Sequence, residues 1–568
     1  GSVSGSAQHL SAPAPHAARS TAATITVSNC NDSGSGSLRD AVGSAASGDT
    51  IDLSGLPDCT ISLSTSIVTT VDDLTIQGKA ASNYLILDGQ DATTPIAHFG
   101  TGTITLMDLN IRHGQFVSNA SSRSPGGCVF SSGNVELVDS SVKYCRAENT
   151  ASGTAEGGAI YSAGNISVSG STVGPSDAIN SGSGPAQGGA IWGQGNVTVD
   201  NSSVIFQGYA MTYGAGGAQG GGIWSGGKTR TDNSSIVASS QAQAHGSGSA
   251  TGGGIYSTGD LSIVGNSFIG QNVATAESAF ASGGGALSGG TVTAKYSQLS
   301  DNLVHSGSSL AEGGGLSTND TLLTKYTTIA DNQATSGTGT GVAGGVFSRG
   351  DASILSTTIS GNSANSIGGL ALLGTNATQN LSIDSSTVSG NTANDSRFGA
   401  GVYVGFDTDI QSSTITGNIE SNPADKKYGA GLSVKHDVNV NLSSTIISDN
   451  KIAKTDSSTP DSDINAANSG SNATLSGDHN LIGVSGLTYP GDTIVNGAPG
   501  LGPLQDNGGL TWTHAVLPGS DAIDTGVSNG FTTDQRGTGY ARTVGAAPDI
   551  GAYEAGGDTI FANGFENP

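Results

Sequence analysis

Short runs in which apolar and small polar residues alternate recur along most of the chain. One copy reads GGAIYSAGN (157–165), ISVSGS (166–171) and STVGPSDAIN (171–180), and the next reads GGAIWGQGN, VTVDNS and SSVIFQG. Alternation with a period of two marks a strand with one face buried. Gly-Asn and Gly-Asp pairs between the runs accept left-handed backbone and predict tight turns. The glycine that opens each block falls at Gly127, Gly158, Gly189, Gly222, Gly254, Gly285, Gly315, Gly345, Gly369, Gly401 and Gly431, in steps of 31, 31, 33, 32, 31, 30, 30, 24, 32 and 30 residues. Three strands per roughly 31 residues are too few for a propeller blade and too β-rich for a helical repeat. The pattern predicts an all-β fold, a right-handed parallel β-helix with one coil per repeat, in which each strand stacks on its equivalent about 4.8 Å away.

In that fold Ile160, Ile191, Ile223, Ile255, Leu287, Leu316 and Val346 point inward. The residue after each lies on the other face. It reads Phe130, Tyr161, Trp192, Trp224 and Tyr256 in five successive coils, then breaks at Ser288 and Ser317 before Phe347 and Tyr403. Five rings on one face form a ladder of roughly 19 Å. The asparagines of the recurring SGN and SDN elements are expected to stack at a turn and bond backbone groups.

The open ends of such a stack need covering. In GSLRDAVGSAASGDTIDLS (35–53), Ser37 and Asp40 are spaced as a capping box, and Leu38, Ala41, Val42 and Ala45 recur at helical spacing. A short capping helix is predicted there. The resulting organisation is a disordered leader (1–23), an N-terminal cap with first coils (24–95), regular coils (96–455), C-terminal coils and cap (456–555) and a tail (556–568). In the C-terminal part, DQRG (534–537) and PDIGAYE (548–554) read as terminal packing, with Arg536 and Asp549 as a pair.

Composition narrows the function classes. The 568 residues include 90 glycines, only 11% are charged, and the formal net charge is −25. That charge argues against nucleic acid, which needs a basic footprint. No apolar run of about 18 residues predicts a membrane span. Four cysteines, Cys30, Cys59, Cys128 and Cys145, fit an oxidising compartment. Three pairings are possible, proximity favours Cys30–Cys59 and Cys128–Cys145, and four buried thiols are the alternative.

Family likeness adds to this. The GGA[IL] element followed by an isoleucine–asparagine run resembles the repeats of chlamydial polymorphic outer-membrane protein adhesins. The opening CNDSGSGSLRDAV…GDTIDLSG and the closing LGPLQDNGGLTWTHAVLPGSDAIDTG…DQRG…DIGAYE resemble secreted bacterial β-helix proteins of the choice-of-anchor Q type. The final DTIFANGFENP, through Asp558, Ile560, Phe561, Gly564, Phe565 and Glu566, resembles a sorting tail of secreted bacterial proteins. The resemblance covers about 24–566 and implies the β-helix and an extracellular location; it implies no settled activity.

Two sets of residues carry chemistry. The ladder Phe130, Tyr161, Trp192, Trp224, Tyr256 is a platform for sugar rings or a partner protein, or else a stack of rings packed on one another under loops. Basic and aromatic residues cluster in SVKYCRAEN (Lys143, Tyr144, Arg146) and, one coil earlier, in NIRHGQF (Arg112, His113). A polysaccharide lyase needs a base and a cation for the uronate, and these five residues are the candidates for it; a glycoside hydrolase would need paired carboxylates. Calcium on turn Asp and Asn residues would be a stabiliser, not a required cofactor. The expectation is a monomeric, secreted or cell-surface scaffold that binds a polysaccharide or surface partner, adhesin-like, with lyase or hydrolase activity as the runner-up and a purely structural surface role third.

Overall fold

The computed structural model describes residues 22–80, 85–374, 380–394, 398–421, 429–453, 462–466 and 472–556. The predicted leader and tail lie almost wholly outside them. The chain is an all-β parallel solenoid of about 12 turns spaced ~31 residues apart, with one short helix. It divides into two compact units, Gly1–Gly290 with Asn302–Ser309, and Thr291–Asp301 with Leu310–Pro568.

In the first unit a full coil has five strand segments where the sequence suggested three. The coil that starts at Ile160 runs through Ile160–Ser162, Ile166–Ser169, Thr172–Val173, Ser176–Asn180 and Ala186–Gln187. We call the sheets built from these positions the first to fifth. The predicted third run is broken at Gly174, whose φ of 113° turns the chain between the third and fourth strands. The fifth strand is only two residues long, too short to show a period.

Stacking follows the predicted register. Ile160 pairs with Ile191, Ile191 with Ile223 and Ile223 with Ile255, all fully buried. One predicted inward residue is misplaced: Ile255 pairs with Ala286, and Leu287 pairs with Tyr256. Leu287 therefore continues the outer row in place of Ser288: the left-handed corner is Gly283, as it is Gly252 one coil earlier, and the third residue after it, Ala286, is the inward one. Likewise Ala190 donates to the carbonyl of Gly222, so the 33-residue step there is 32 in the stack.

Between the fifth and first strands the chain turns through a glycine pair. Gly188 has φ 63°, and a Cβ on Gly189 would run into the Gly221 carbonyl and the Tyr209 amide. The fourth and fifth strands face each other through small residues, Ala178 and Ala210 against Ala155 and Ala186. The outer faces of the fifth and first strands also meet, since Trp192 Nε1 donates to Gln187 Oε1 at 3.1 Å. Outside the coil, the corner between these two sheets is concave.

The predicted helix is Leu38–Ser44. Ser37 caps it by accepting from the Asp40 amide, and Leu38, Ala41 and Val42 are buried. Both favoured disulfides form, Cys30–Cys59 and Cys128–Cys145.

In the second unit buried asparagines form a continuous chain. Asn332, Asn362, Asn391 and Asn418 each donate Nδ2 to the Oδ1 of the next, through Asn450, and each also donates to a strand carbonyl. Asp463 ends the row, accepting from the Asn450 amide and Nδ2. The segment predicted to close the stack lies lengthwise along the third sheet as a strap. Thr358 Oγ1 donates to the Trp512 carbonyl, Thr387 Oγ1 to Gln535 Oε1, and the Ala552 amide to Thr414 Oγ1. Arg536 pairs with Asp534 and not with Asp549, at 2.7 Å, and lies between the rings of Tyr540 and Tyr553. Asp534 is two residues away on the same turn, whereas Asp549 is engaged by the Asp524 and Ala555 amides.

Candidate functional site

The ladder forms as a stack. Ring centroids are 5.4 Å apart for Phe130–Tyr161, 4.6 Å for Tyr161–Trp192, 4.8 Å for Trp192–Trp224 and 6.3 Å for Trp224–Tyr256, with planes within 9° of parallel. Phe99 adds a tilted ring above Phe130 at 5.2 Å. In this arrangement the interior rings spend both faces on each other. Tyr161 is 5% exposed and Trp192 3%, so the row offers ring edges and not stacking faces. Phe130, Trp224 and Tyr256 are half-buried.

The concave corner explains that burial. Across from the rings runs a parallel row from the fifth sheet, Glu156, Gln187, Gln219 and Thr251 in register. Gln187 Nε2 donates to Gln219 Oε1 at 2.6 Å. Trp224 Nε1 is buried with no acceptor among the described residues, unlike Trp192. Arg123 covers the upper end: it donates to Tyr161 Oη at 2.7 Å, lies 5.7 Å from the Trp192 ring and reaches Glu156 at 3.5 Å. Burial pushes the Glu156 carboxyl up to about 7, against the pull of Arg123. Arg123 is itself half in solvent, where its charge is screened, so burial wins. The arrangement is a minor core on the outside of the coil.

The basic cluster is a surface feature. Lys143 pairs in register with Arg112 at the end of the third sheet, and the residue after each turns the corner toward the fourth. Those residues, His113 and Tyr144, have φ of 50° and 56°. Their rings stack at 5.6 Å, and Tyr144 is 56% exposed. Asp88, absent from the sequence reading, anchors the upper member: Arg112 Nε lies 3.0 Å and His113 Nδ1 3.2 Å from its Oδ2. Burial alone would raise the Asp88 carboxyl, but bonds from the Gln90 amide, Arg112 and His113 hold it below its ordinary value. The register of the third sheet, Asp88 with Arg112, carries this contact, and the strand ending LILDG was its only sequence signal.

Arg146 stands apart, on the fourth sheet between Gln115 and Asp177, with Glu148 at 3.2 Å. Thus four of the five lyase candidates converge at one corner, and Arg146 belongs to the neighbouring sheet. Of these four, Lys143 has no acidic partner among the described residues. No group of three or more His, Cys, Asp or Glu gathers into a metal-holding cluster among the described residues, and none of their helices is long and apolar enough to cross a membrane.

Sequence reasoning also missed a second carboxylate–arginine–ring group, in the second unit. Arg349 binds both oxygens of buried Glu312, at 2.7 and 2.8 Å, and lies 4.3 Å over Phe347. Burial raises Glu312, and Arg349 opposes it. Comparison of the chain with protein-family models, curated proteins and solved structures finds no match.

Proposed function

We propose that the chain is an extracellular β-helix scaffold that captures glycans, in the manner of an adhesin, and that contact is made at the corner formed by Arg112, His113, Lys143 and Tyr144. The observation that carries this reading is the exposed Tyr144 ring, stacked on His113 and flanked by the unpaired Lys143, in a protein whose formal charge is −25. An exposed aromatic on a polar surface provides a face for the CH side of a pyranose, and an ammonium beside it bonds sugar oxygens. Two disulfides and the absence of a membrane-crossing helix among the described residues are consistent with secretion. The outer-membrane-adhesin and choice-of-anchor resemblances point the same way.

The experiment is a glycan array probed with the intact protein, with Lys143→Ala/Tyr144→Ala, and with Trp192→Phe. The corner variant is expected to lose binding at least tenfold while Trp192→Phe, which keeps a buried ring, retains it. Full binding by the corner variant refutes the reading, as does an intact protein that binds no glycan.

A further inference from the structure

The corner between the second and third sheets demands left-handed backbone in every coil of the second unit. From Ser356 to Ser444 serine fills it, with φ between 43° and 52° at Ser356, Ser385, Ser412 and Ser444, and His479 (φ 52°) follows in the last coil. In the two coils before Ser356 the same corner holds Tyr296 (φ 53°) and Tyr326 (φ 49°). A bulky aromatic in this region is strained, and small or turn-forming residues serve the turn better. The strap makes use of Tyr326, since a Cβ on Gly537 would come within 2.7 Å of its hydroxyl; Tyr296 holds the same strained corner one coil earlier and stays exposed, which marks it for another purpose.

Each tyrosine follows a lysine. Lys295 and Lys325 are register partners, which places them one coil, about 4.8 Å, apart at the Cα level. Two like charges at neighbouring positions oppose each other. Neither ammonium meets an acid among the described residues. Lys325 Nζ lies 5.2 Å from the Tyr326 ring. The two rings stack at 5.3 Å, and Tyr296 is 47% exposed. The strap brings a third ring nearby. Thr511 donates to the carbonyl of Ser356, the next corner residue, and Trp512 beside it is 55% exposed.

We propose that Lys295, Tyr296, Lys325 and Tyr326 form a binding site for an acidic saccharide, with Tyr296 stacking on a pyranose ring and the two lysines meeting its carboxylates. The site shares with the proposed function the idea that the chain captures saccharides, but it rests on its own residues in the other unit. Aromatic faces suit the CH face of a sugar, and the uncompensated ammonium pair selects for negative charge in a protein that otherwise repels it. A neutral saccharide would leave the lysine pair unanswered.

The test measures binding of α-1,4-linked oligogalacturonides to the full chain by calorimetry, beside neutral malto-oligosaccharides and sulfated dextran. The variants are Lys295→Gln/Tyr296→Asn, and Lys143→Ala/Tyr144→Ala as the comparison. The first variant is expected to lose oligogalacturonide affinity at least tenfold with an unchanged or raised Tm, because asparagine suits the left-handed corner better than tyrosine. A merely structural role for Tyr296 predicts a lowered Tm instead. Unchanged oligogalacturonide affinity in this variant overturns the site and leaves the proposed function standing if the first-unit variant still weakens binding. Equal binding of malto-oligosaccharides overturns the acidic preference, equal loss for sulfated dextran reduces the site to general charge attraction, and no binding of any saccharide overturns both proposals.

Discussion

Replacing Asn391 by alanine should destabilise the second unit by about 3–5 kcal/mol. The side chain makes four buried hydrogen bonds. Its Oδ1 accepts from the Asn362 amide at 3.0 Å and from Asn362 Nδ2 at 2.9 Å, and its Nδ2 donates to the Ile359 carbonyl at 3.0 Å and to Asn418 Oδ1 at 2.9 Å. Each such bond contributes about 0.5–1.5 kcal/mol net, and a buried donor left without an acceptor costs about 1–3 kcal/mol more. The Asn362 backbone N–H becomes that donor; Asn362 Nδ2 keeps the Ile329 carbonyl. Because neighbouring bonds in one chain are not additive, the sum is taken at its lower end. Position matters as much as number. Asp463 ends the row, where only acceptors are needed: it receives the Asn450 amide and Nδ2 at one oxygen and the Val484 amide at the other. Asn391→Asp, by contrast, puts a carboxylate where two donors are required, and should be at least as damaging as alanine at neutral pH. Urea unfolding followed by far-ultraviolet circular dichroism, with the m-value checked for constancy, measures all three chains. A loss below about 1 kcal/mol for Asn391→Ala, or an Asn391→Asp chain as stable as the parent, would refute the donor–acceptor account of the row.

Trp192→Ala removes a ring held between Tyr161 and Trp224 and should cost about 3–5 kcal/mol, whereas Tyr144→Ala, at an exposed position, should change thermal stability by less than about 0.5 kcal/mol. Glu156 adds a pH dependence: its folded carboxyl is raised from 4.5 to about 7, so the folded state holds a proton that the unfolded chain has lost. Its contribution is therefore complete below about 4.5 and is lost as the pH rises to about 7. Glu156→Gln should flatten Tm across that window, and an unaltered pH profile contradicts the assignment. Gln535→Ala cuts the ties to Thr387, Thr358 and Thr511, and limited proteolysis should then cleave within 498–556 faster than in the parent chain.

The fold was legible because the strongest signal in the chain is its period. Ile160, Ile191, Ile223 and Ile255 repeat the same environment, and an error at one coil is corrected by the next. The helix was legible for a local reason, since Ser37 and Asp40 lie three residues apart. What escaped the sequence lies across coils or across sheets. The face taken by Leu287 depends on which glycine of Gly283–Gly285 turns the left-handed corner. The contact of Asp88 with Arg112 and His113 joins residues 24 and 25 positions apart. Tyr161 and Trp192 could be placed on the outer face by alternation, yet nothing in alternation says that the fifth strand folds back beside them. That strand, Ala155–Glu156, is two residues long and shows no periodicity of its own. The four corner residues Arg112, His113, Lys143 and Tyr144 were found because charge is scarce. Tyr296 and Tyr326 were passed over because a lone tyrosine at a turn is unremarked until its left-handed backbone is known.

The strap records a count. In a simple solenoid each coil touches only its neighbours, so coils are gained and lost by duplication and deletion at little cost. Here Gln535 spans Thr358 and Thr387, while the Ala552 amide waits for Thr414 in the coil beyond. One extra coil between Asn362 and Asn391 would move every later threonine a full rise out of reach, and one fewer would crowd the strap into a bulge. The coils beneath it are thereby held to a fixed number over evolutionary change, and any pull on the C-terminal end must shear this cord along several coils before it can unwind one.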